Sequence, residues 1–170
     1  MKFLVTGGAG FIGSEVVKQL IGMDEEVINV DKLTYASCIK SLEEISSSQN
    51  YKFYKEDICN FEKMSEIIFS EEPDVIMHLA AESHVDNSIT DPDVFIKTNI
   101  FGTYNLLNAS KKFFNETRPA KFLFHHISTD EVYGDLNSFD TPFKETNPYL
   151  PSSPYSASKA SSDHLVKAWG

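Results

Sequence analysis

Arginine is nearly missing from this chain: Arg118 is the single one among 170 residues. Arginine forks are the usual clamps for diphosphates, so the chain alone carries little of the cationic grip that such a group attracts. Cysteine is equally scarce. Cys38 and Cys59 stand alone, with no CxxC and no Cys/His grouping, which excludes a disulfide framework and a structural zinc and fits a reducing, cytoplasmic compartment. No run approaches the roughly 18 apolar residues of a membrane span. The opening Met1-Lys2-Phe3-Leu4-Val5-Thr6 is broken at once by glycines, unlike a secretory leader. Basic residues are outnumbered 15 to 25, for a formal charge of -10. That balance repels nucleic acid and anionic membranes. What remains is a length suited to one domain with a real core, 1–170.

Two periodicities alternate along the chain. Lys2 to Thr6 reads as a strand, Ser14 to Ile21 as a helix, and Glu26 to Val30 as a second strand. Lys32 to Asn50 reads as a surface connection with at least one helical turn, Tyr51 to Glu56 as a strand, and Phe61 to about Phe69 as a helix ended by Pro73. Val75 to Leu79 follows as a buried strand. A long helix is expected from Asp91-Pro92 to about Phe114, with Val94, Phe95, Thr98, Phe101, Leu106 and Ala109 as candidate buried positions. The apolar run Phe122 to Ile127 reads as another buried strand, and Ser153-Pro154 opens a last helix. This order predicts a doubly wound parallel α/β sheet of the Rossmann-like kind.

Between the first strand and helix lies Gly7-Gly8-Ala9-Gly10-Phe11-Ile12-Gly13. It fits G-x-G-x-x-G from Gly8 and G-x-x-G-x-x-G from Gly7. Such a loop turns sharply, lets backbone approach a pyrophosphate and aims a helix amino terminus at it. The second strand ends in Asp31, about 20 residues on, where a carboxylate accepts from an adenosine ribose and disfavours a 2′-phosphate. That points to NAD rather than NADP. Asp57 and Ile58 end the third strand, at a place suited to an adenine edge. After the fourth, Ala80 and Ala81 are small enough to admit a nicotinamide ribose, while Ser83 and His84 offer hydrogen bonds to a sugar. Thr98 and Asn99 are polar on an otherwise packable helix face, available either to the cofactor or to helix packing. Tyr155 and Lys159 lie four apart on one helix face, and Ser128-Thr129-Asp130-Glu131 sits at the carboxyl end of a strand, where open α/β sheets keep their chemistry.

Five stretches together resemble the dTDP-glucose 4,6-dehydratases, extended short-chain dehydrogenase/reductases: Thr6 to Gly13, Asp31-Lys32-Leu33-Thr34-Tyr35-Ala36, His78-Leu79-Ala80-Ala81-Glu82-Ser83-His84-Val85-Asp86, Ser128 to Gly134, and Tyr155-Ser156-Ala157-Ser158-Lys159. The resemblance runs the length of the chain. It implies NAD held by Gly7, Gly10, Phe11, Ile12, Gly13, Asp31, Lys32, Leu33, Thr34, Asp57, Ile58, Leu79, Ala80, Ala81, Ser83, Thr98, Tyr155 and Lys159, and a sugar met by Ser83, His84 and Thr129. In the reaction it implies, Tyr155 takes the C4 hydroxyl proton, with Lys159 lowering its pKa. Thr129 bonds the C4 oxygen, Glu131 removes the C5 proton and Asp130 protonates the departing C6 hydroxyl. No metal takes part. Adjacent Asp and Glu set this pattern apart from related epimerases, which share the glycine loop and the Tyr/Lys pair.

Family members continue for about as many residues again, through the last strands and a smaller substrate domain, so the resemblance implies a truncated portion lacking that domain. Asn87 also stands where the family commonly has a basic residue. The resemblance further implies a homodimer through the helix near Pro92 and the helix bearing Tyr155. The readings that follow are a dTDP-glucose 4,6-dehydratase, a UDP-glucose 4,6-dehydratase or epimerase, and a catalytically silent NAD-binding or dimerisation module.

Overall fold

The computed structural model of the chain describes residues 1–138 and 141–170. Its contacts divide it into two compact units, Met1–Ala80 with Asn105–Ile127, and Ala81–Tyr104 with Ser128–Gly170.

The first unit holds a five-stranded parallel sheet of β1 (Lys2–Thr6), β2 (Glu26–Val30), β3 (Tyr51–Tyr54), β4 (Val75–His78) and β5 (Leu123–His126), in the order β3-β2-β1-β4-β5. Register pairs Thr6 with Val30 on one side and with His78 on the other. The crossovers include α1 (Phe11–Gly22), α2 (Phe61–Glu71) and, in large part, α5 (Thr103–Thr117). Period-2 alternation sends neighbouring strand residues to opposite faces. Leu4, Ile28, Val30 and Ile76 join Met64, Ile67 and Ile68 of α2 and Leu106, Ala109 and Phe113 of α5 in one buried cluster. Val5 and Val27 join Ala9, Val17 and Leu42 in a second cluster on the side of α1. Apolar residues on both faces of the central strands thus produce the doubly wound arrangement that the sequence predicts.

Element ends shift by a few residues. Helix α1 begins at Phe11 rather than Ser14, because Gly13 belongs to its first turn. Strands β3 and β4 stop at Tyr54 and His78, short of Glu56 and Leu79. The connection after β2 contains a 3₁₀ helix at Ile39–Ile45 whose Leu42 supplies the buried contact. Helix α2 runs to Glu71, with Glu72 in the left-handed conformation immediately before Pro73.

Two expectations are corrected. The run expected to be a buried strand forms β5, which among the described residues pairs only with β4 and lies at the sheet edge; its Leu123 is 56% exposed. An apolar run reports a strand that could be covered on both faces, and the strand order decides whether it is. Phe101, expected in the core, is 58% exposed. The long helix is interrupted: α4 (Pro92–Phe95) passes into a π-helical segment, Ile96–Gly102, before α5. A π turn adds a residue per turn and shifts the phase, so positions counted at 3.6 rotate away from the face they are expected on. Phe95, Thr98, Leu106 and Ala109 remain buried and Val94 is half-buried.

The second unit contains α3 (Val85–Thr90), which sequence periodicity does not reveal, then α4, the π segment and the start of α5. A 3₁₀ turn, Asp130–Tyr133, and α6 (Pro154–Trp169) complete it. No helix among the described residues is long and apolar enough to cross a membrane.

Candidate functional site

Strand order reverses direction between β1 and β4, and the carboxyl ends of strands at such a reversal are where doubly wound sheets bind ligands. Gly7 turns the chain there with φ +73°, and a Cβ on it would lie 2.6 Å from the Ala80 backbone nitrogen. Gly13 is packed as tightly, since its Cβ would lie 2.1 Å from the Gly7 carbonyl oxygen. The loop is pinned by Gly7 N–H donating to the Val30 carbonyl at 2.9 Å and Gly10 N–H to the Gly7 carbonyl at 3.1 Å. Helix α1 then starts with no side-chain cap at Gly10, and Phe11 is 95% exposed. First-turn N–H groups without intrahelical partners are an anion site in waiting.

Asp31 is buried directly after β2. Its Oδ2 accepts from Ala9 N–H at 3.0 Å, and its Oδ1 from Leu33 N–H at 2.8 Å and Ser37 Oγ at 2.9 Å. Three donors leave one of a carboxylate's roughly four acceptor sites, enough for one ribose hydroxyl. The same carboxylate fastens the glycine loop to the end of β2, a role that spacing alone did not suggest. Beyond it, Leu33 has φ +61°, and Lys32 and Thr34 are half-buried. Lys32 Nζ stands 3.8 Å from Asp57 Oδ2, while Asp57 Oδ1 accepts from Cys59 N–H at 2.9 Å. The Ile58 side chain belongs to the larger core cluster, so only its backbone is free to meet a ligand. Leu79 N–H donates to the Thr6 carbonyl at 3.1 Å and Ala80 N–H to Thr6 Oγ1 at 3.3 Å, holding Ala80 beside Gly7. A tight glycine cradle, an uncapped helix start and a carboxylate at the end of β2 fit a dinucleotide.

In the second unit, α6 begins with a reciprocal capping box. Ser153 Oγ accepts from Ser156 N–H at 3.0 Å, Ser156 Oγ accepts from Ser153 N–H at 2.9 Å, and Pro154 takes the first helical position. The helix thereby carries Tyr155 and Lys159 on one face, both buried. Thr129 caps the Asp130–Tyr133 turn through Glu131 N–H at 3.3 Å, and its hydroxyl is near enough to the Tyr155 phenol to favour the phenolate. The structure thus brings Thr129, Glu131 and Tyr155 together. Ser83 and His84 are exposed just before α3, while Thr98 is buried inside the unit.

Burial sets the protonation behaviour here. It pushes the Tyr155 phenol up from its ordinary value; the Thr129 hydroxyl pulls the other way, and the charges of Glu131 and Asp130 add to the rise. Burial also pushes Lys159 down to about 8, opposed by Asp163, so the ammonium is itself close to losing its charge. The Glu131 carboxyl is raised, first by burial and then by Asp130 and Asp135, which makes it a stronger base.

Of the two polar residues on the long helix, Asn99 serves packing. Its Oδ1 accepts from Glu82 N–H at 2.8 Å, and its Nδ2 donates to the Glu82 carbonyl at 2.9 Å and to Ser158 Oγ at 2.8 Å. Its own carbonyl, in the π segment, accepts from Thr103 Oγ1 and Ser162 Oγ, each at 2.6 Å. One buried amide joins the Glu82 loop to the helix of Tyr155 and Lys159. A Tyr155 ring edge-on to Phe95 at 6.4 Å adds to that support. Among the described residues no group of His, Cys, Asp or Glu could hold a metal ion.

Fold and loop define a Rossmann-like α/β protein, its five parallel strands wound in the order of a dinucleotide-binding sheet. Residues 4–170 match the family model described as GDP-mannose 4,6 dehydratase, and the chain belongs to that family. The dTDP-glucose 4,6-dehydratase of Shigella flexneri is 57% identical over 181 residues, covering 99% of this chain and 50% of that protein. A dTDP-glucose 4,6-dehydratase of Streptomyces venezuelae, solved with NAD bound, superposes with TM-score 0.89 at 39% identity over 99% of this chain and 51% of the other. The UDP-glucose 4-epimerase of Thermotoga maritima, solved with UDP-glucose, gives TM-score 0.84 at 36% identity over 99% and 51%. The chain is thus homologous to dTDP-glucose 4,6-dehydratases and spans about half their length, and its structural homologues bind NAD.

Proposed function

We propose that this chain is the NAD-binding portion of a dTDP-glucose 4,6-dehydratase, a lyase that yields dTDP-4-keto-6-deoxyglucose with loss of water. The observation that carries the reading is the Thr129-Asp130-Glu131 turn in the same compact unit as buried Tyr155, with Thr129, Asp130 and Glu131 all near enough to act on the phenol. Oxidation and return of a hydride alone need no such carboxylate pair, whereas elimination of water needs an acid and a base.

NAD would be held by the Gly7 to Gly13 loop and α1, with Asp31 on the adenosine ribose, Lys32, Leu33, Thr34, Asp57 and Ile58 around the adenosine, and Leu79, Ala80, Ala81, Ser83 and Thr98 toward the nicotinamide. When bound, it would supply a hydride acceptor for C4 and, once reduced, a hydride donor for C6. The protein's own residues move the protons. Tyr155, as the phenolate that Lys159 stabilises, takes the C4 hydroxyl proton and becomes the phenol. Thr129 donates to the C4 oxygen, which becomes a ketone and acidifies C5. Glu131 removes the C5 proton, Asp130 gives a proton to the C6 oxygen as water departs, and Glu131, its proton exchangeable with solvent, protonates C5 when C6 receives the hydride. Ser83 and His84 lie where a sugar hydroxyl could be met. Each acid or base of this kind contributes about 100- to 10,000-fold in rate.

A homodimer through the long helix and α6 is supported by exposed Phe101 and Tyr104. A cytoplasmic setting accords with two free cysteines and the net charge of -10, and that charge argues against nucleic acid or membrane as a partner. The test is incubation with NAD and either dTDP-glucose or UDP-glucose, with products read by mass spectrometry. Dehydrated product from dTDP-glucose in clear preference supports the reading. Product from UDP-glucose instead reassigns the substrate, and none from either, in a folded chain that binds NAD, favours a silent binding or dimerisation module.

A further inference from the structure

Asp163 stands on α6 one turn beyond Lys159 and has no part in the reaction proposed above. Its Oδ2 accepts from Ser128 Oγ at 2.6 Å and from the Tyr149 hydroxyl at 2.9 Å. Ser128 immediately precedes Thr129. Tyr149 serves the other end of the turn: its ring is edge-on to Tyr133 at 5.4 Å and lies 5.1 Å from His164, the neighbour of Asp163 on α6. Leu150 N–H then donates to the Val132 carbonyl at 3.0 Å. Gly134 leaves the turn with φ +114°, and a Cβ there would lie 2.9 Å from the Leu150 carbonyl oxygen. One carboxylate therefore gathers both flanks of the turn that bears Asp130 and Glu131.

We propose that Asp163 is a positioning residue, whose carboxylate fastens the Thr129–Tyr133 turn, through Ser128 before it and Tyr149 behind it, to the helix that carries Tyr155. The need is physical. A single 3₁₀ turn has poor internal hydrogen-bond geometry, yet catalytic groups must be held to about 0.5 Å, and a shift of about 1 Å can cost about 100-fold in rate. Hydroxyl bonds to an ionised carboxylate are about twice as strong as neutral ones, and here two converge on one oxygen. Asp163 also opposes the depression of the Lys159 pKa by burial, so its charge serves the same helix.

This inference rests on the dehydratase reading for the groups being positioned, and the test separates the two. Hydrogen exchange of peptides covering 128–133 and turnover of dTDP-glucose with NAD are compared for wild type, Asp163→Ala and Asp163→Asn. Asp163→Ala should exchange faster in that segment and lose about 10- to 100-fold in kcat, the range set by two bonds to a charged acceptor, with KM for dTDP-glucose changed by less than about twofold. Asparagine keeps two acceptor lone pairs on Oδ1 and should restore most of the protection, with kcat within about tenfold of wild type. If Asp163→Ala fails to fold, the double variant Ser128→Ala/Tyr149→Phe removes the same bonds from the other side. Unchanged exchange and kcat in a folded variant, or a rise in KM alone, overturns the proposal. A wild type that forms no product refutes the dehydratase reading, and the exchange comparison then decides the tether by itself.

Discussion

Gly13 and Gly22 lie on the same helix, α1, and helix propensity treats them alike: replacing either by alanine should stabilise by about 1 kcal/mol or less. Their surroundings say otherwise. A Cβ at Gly22 would meet nothing within 4 Å, whereas one at Gly13 would lie 2.1 Å from the Gly7 carbonyl oxygen and 2.9 Å from Gly7 C and Gly8 Cα. Contacts below 3.0 Å are essentially never shown by real Cβ atoms, and the obstructing atoms are backbone, so α1 must move off the loop. Overpacking of this kind costs roughly 1–3 kcal/mol, more than the propensity gain. In thermal denaturation, with about 2–4 °C per kcal/mol for a chain of this size, Gly22→Ala should melt up to about 4 °C higher than wild type. Gly13→Ala should melt lower, by up to about 8 °C once the propensity gain is subtracted, and should lose most of its further stabilisation by NAD. A Gly13→Ala protein as stable as Gly22→Ala, with its NAD response intact, would refute the claim that the loop is closed by helix-to-backbone contact.

Three further outcomes follow from the same geometry. NAD at 100 times its Kd should raise the melting temperature by about 5–10 °C, corresponding to about 2.7 kcal/mol, and NADP by clearly less; equal shifts in a thermal scan would remove the role of Asp31. Asn99→Leu leaves Glu82 N–H and carbonyl without their partner and should destabilise by about 2–5 kcal/mol in urea titration, and a change below about 1 kcal/mol would show that the loop finds other partners. Lys159 has a folded-state pKa near 8, below its ordinary value of 10.5, so folding disfavours its charged form. The penalty, on the order of 3 kcal/mol, is fully present below pH 8 and fades as pH rises toward 10.5, because across that window the unfolded chain binds more protons. Lys159→Met should accordingly be more stable than wild type at pH 7, and the gap should close with rising pH; a gap independent of pH contradicts the burial argument.

How much of this was legible beforehand depended on the range of the cause. The glycine loop and the carboxylate at Asp31 answer local demands, a turn with positive φ at Gly7 and an acceptor at a strand end, so spacing reveals them. The capped start of α6 and the shared face of Tyr155 and Lys159 are local too. The edge position of β5 is set by strand order, which no single apolar run contains. Phe101 was misplaced by the π segment, whose extra residue breaks the phase on which periodicity counting depends. The Asn99 and Asp163 networks join residues 59 and 35 positions apart, and one residue-type pattern cannot announce both partners. Asp163 had a faint signal, its position one turn after Lys159 on the same helix. The Tyr155 phenol illustrates a different limit. Proximity of an ammonium favours a lowered pKa, but burial acts on both groups as well, pushing the phenol up and the lysine down to about 8.

The central claim is that Glu131 removes a proton from C5 of a nucleotide-linked glucose, and solvent isotope incorporation tests it most directly. dTDP-glucose and NAD are incubated with the chain in deuterated buffer, and the product is analysed by mass spectrometry alongside Glu131→Gln. The account predicts a product that has lost water and gained one deuterium at C5 in the wild type, with the Glu131→Gln rate lower by about 100-fold or more. Deuterated product formed by Glu131→Gln at the wild-type rate would contradict it.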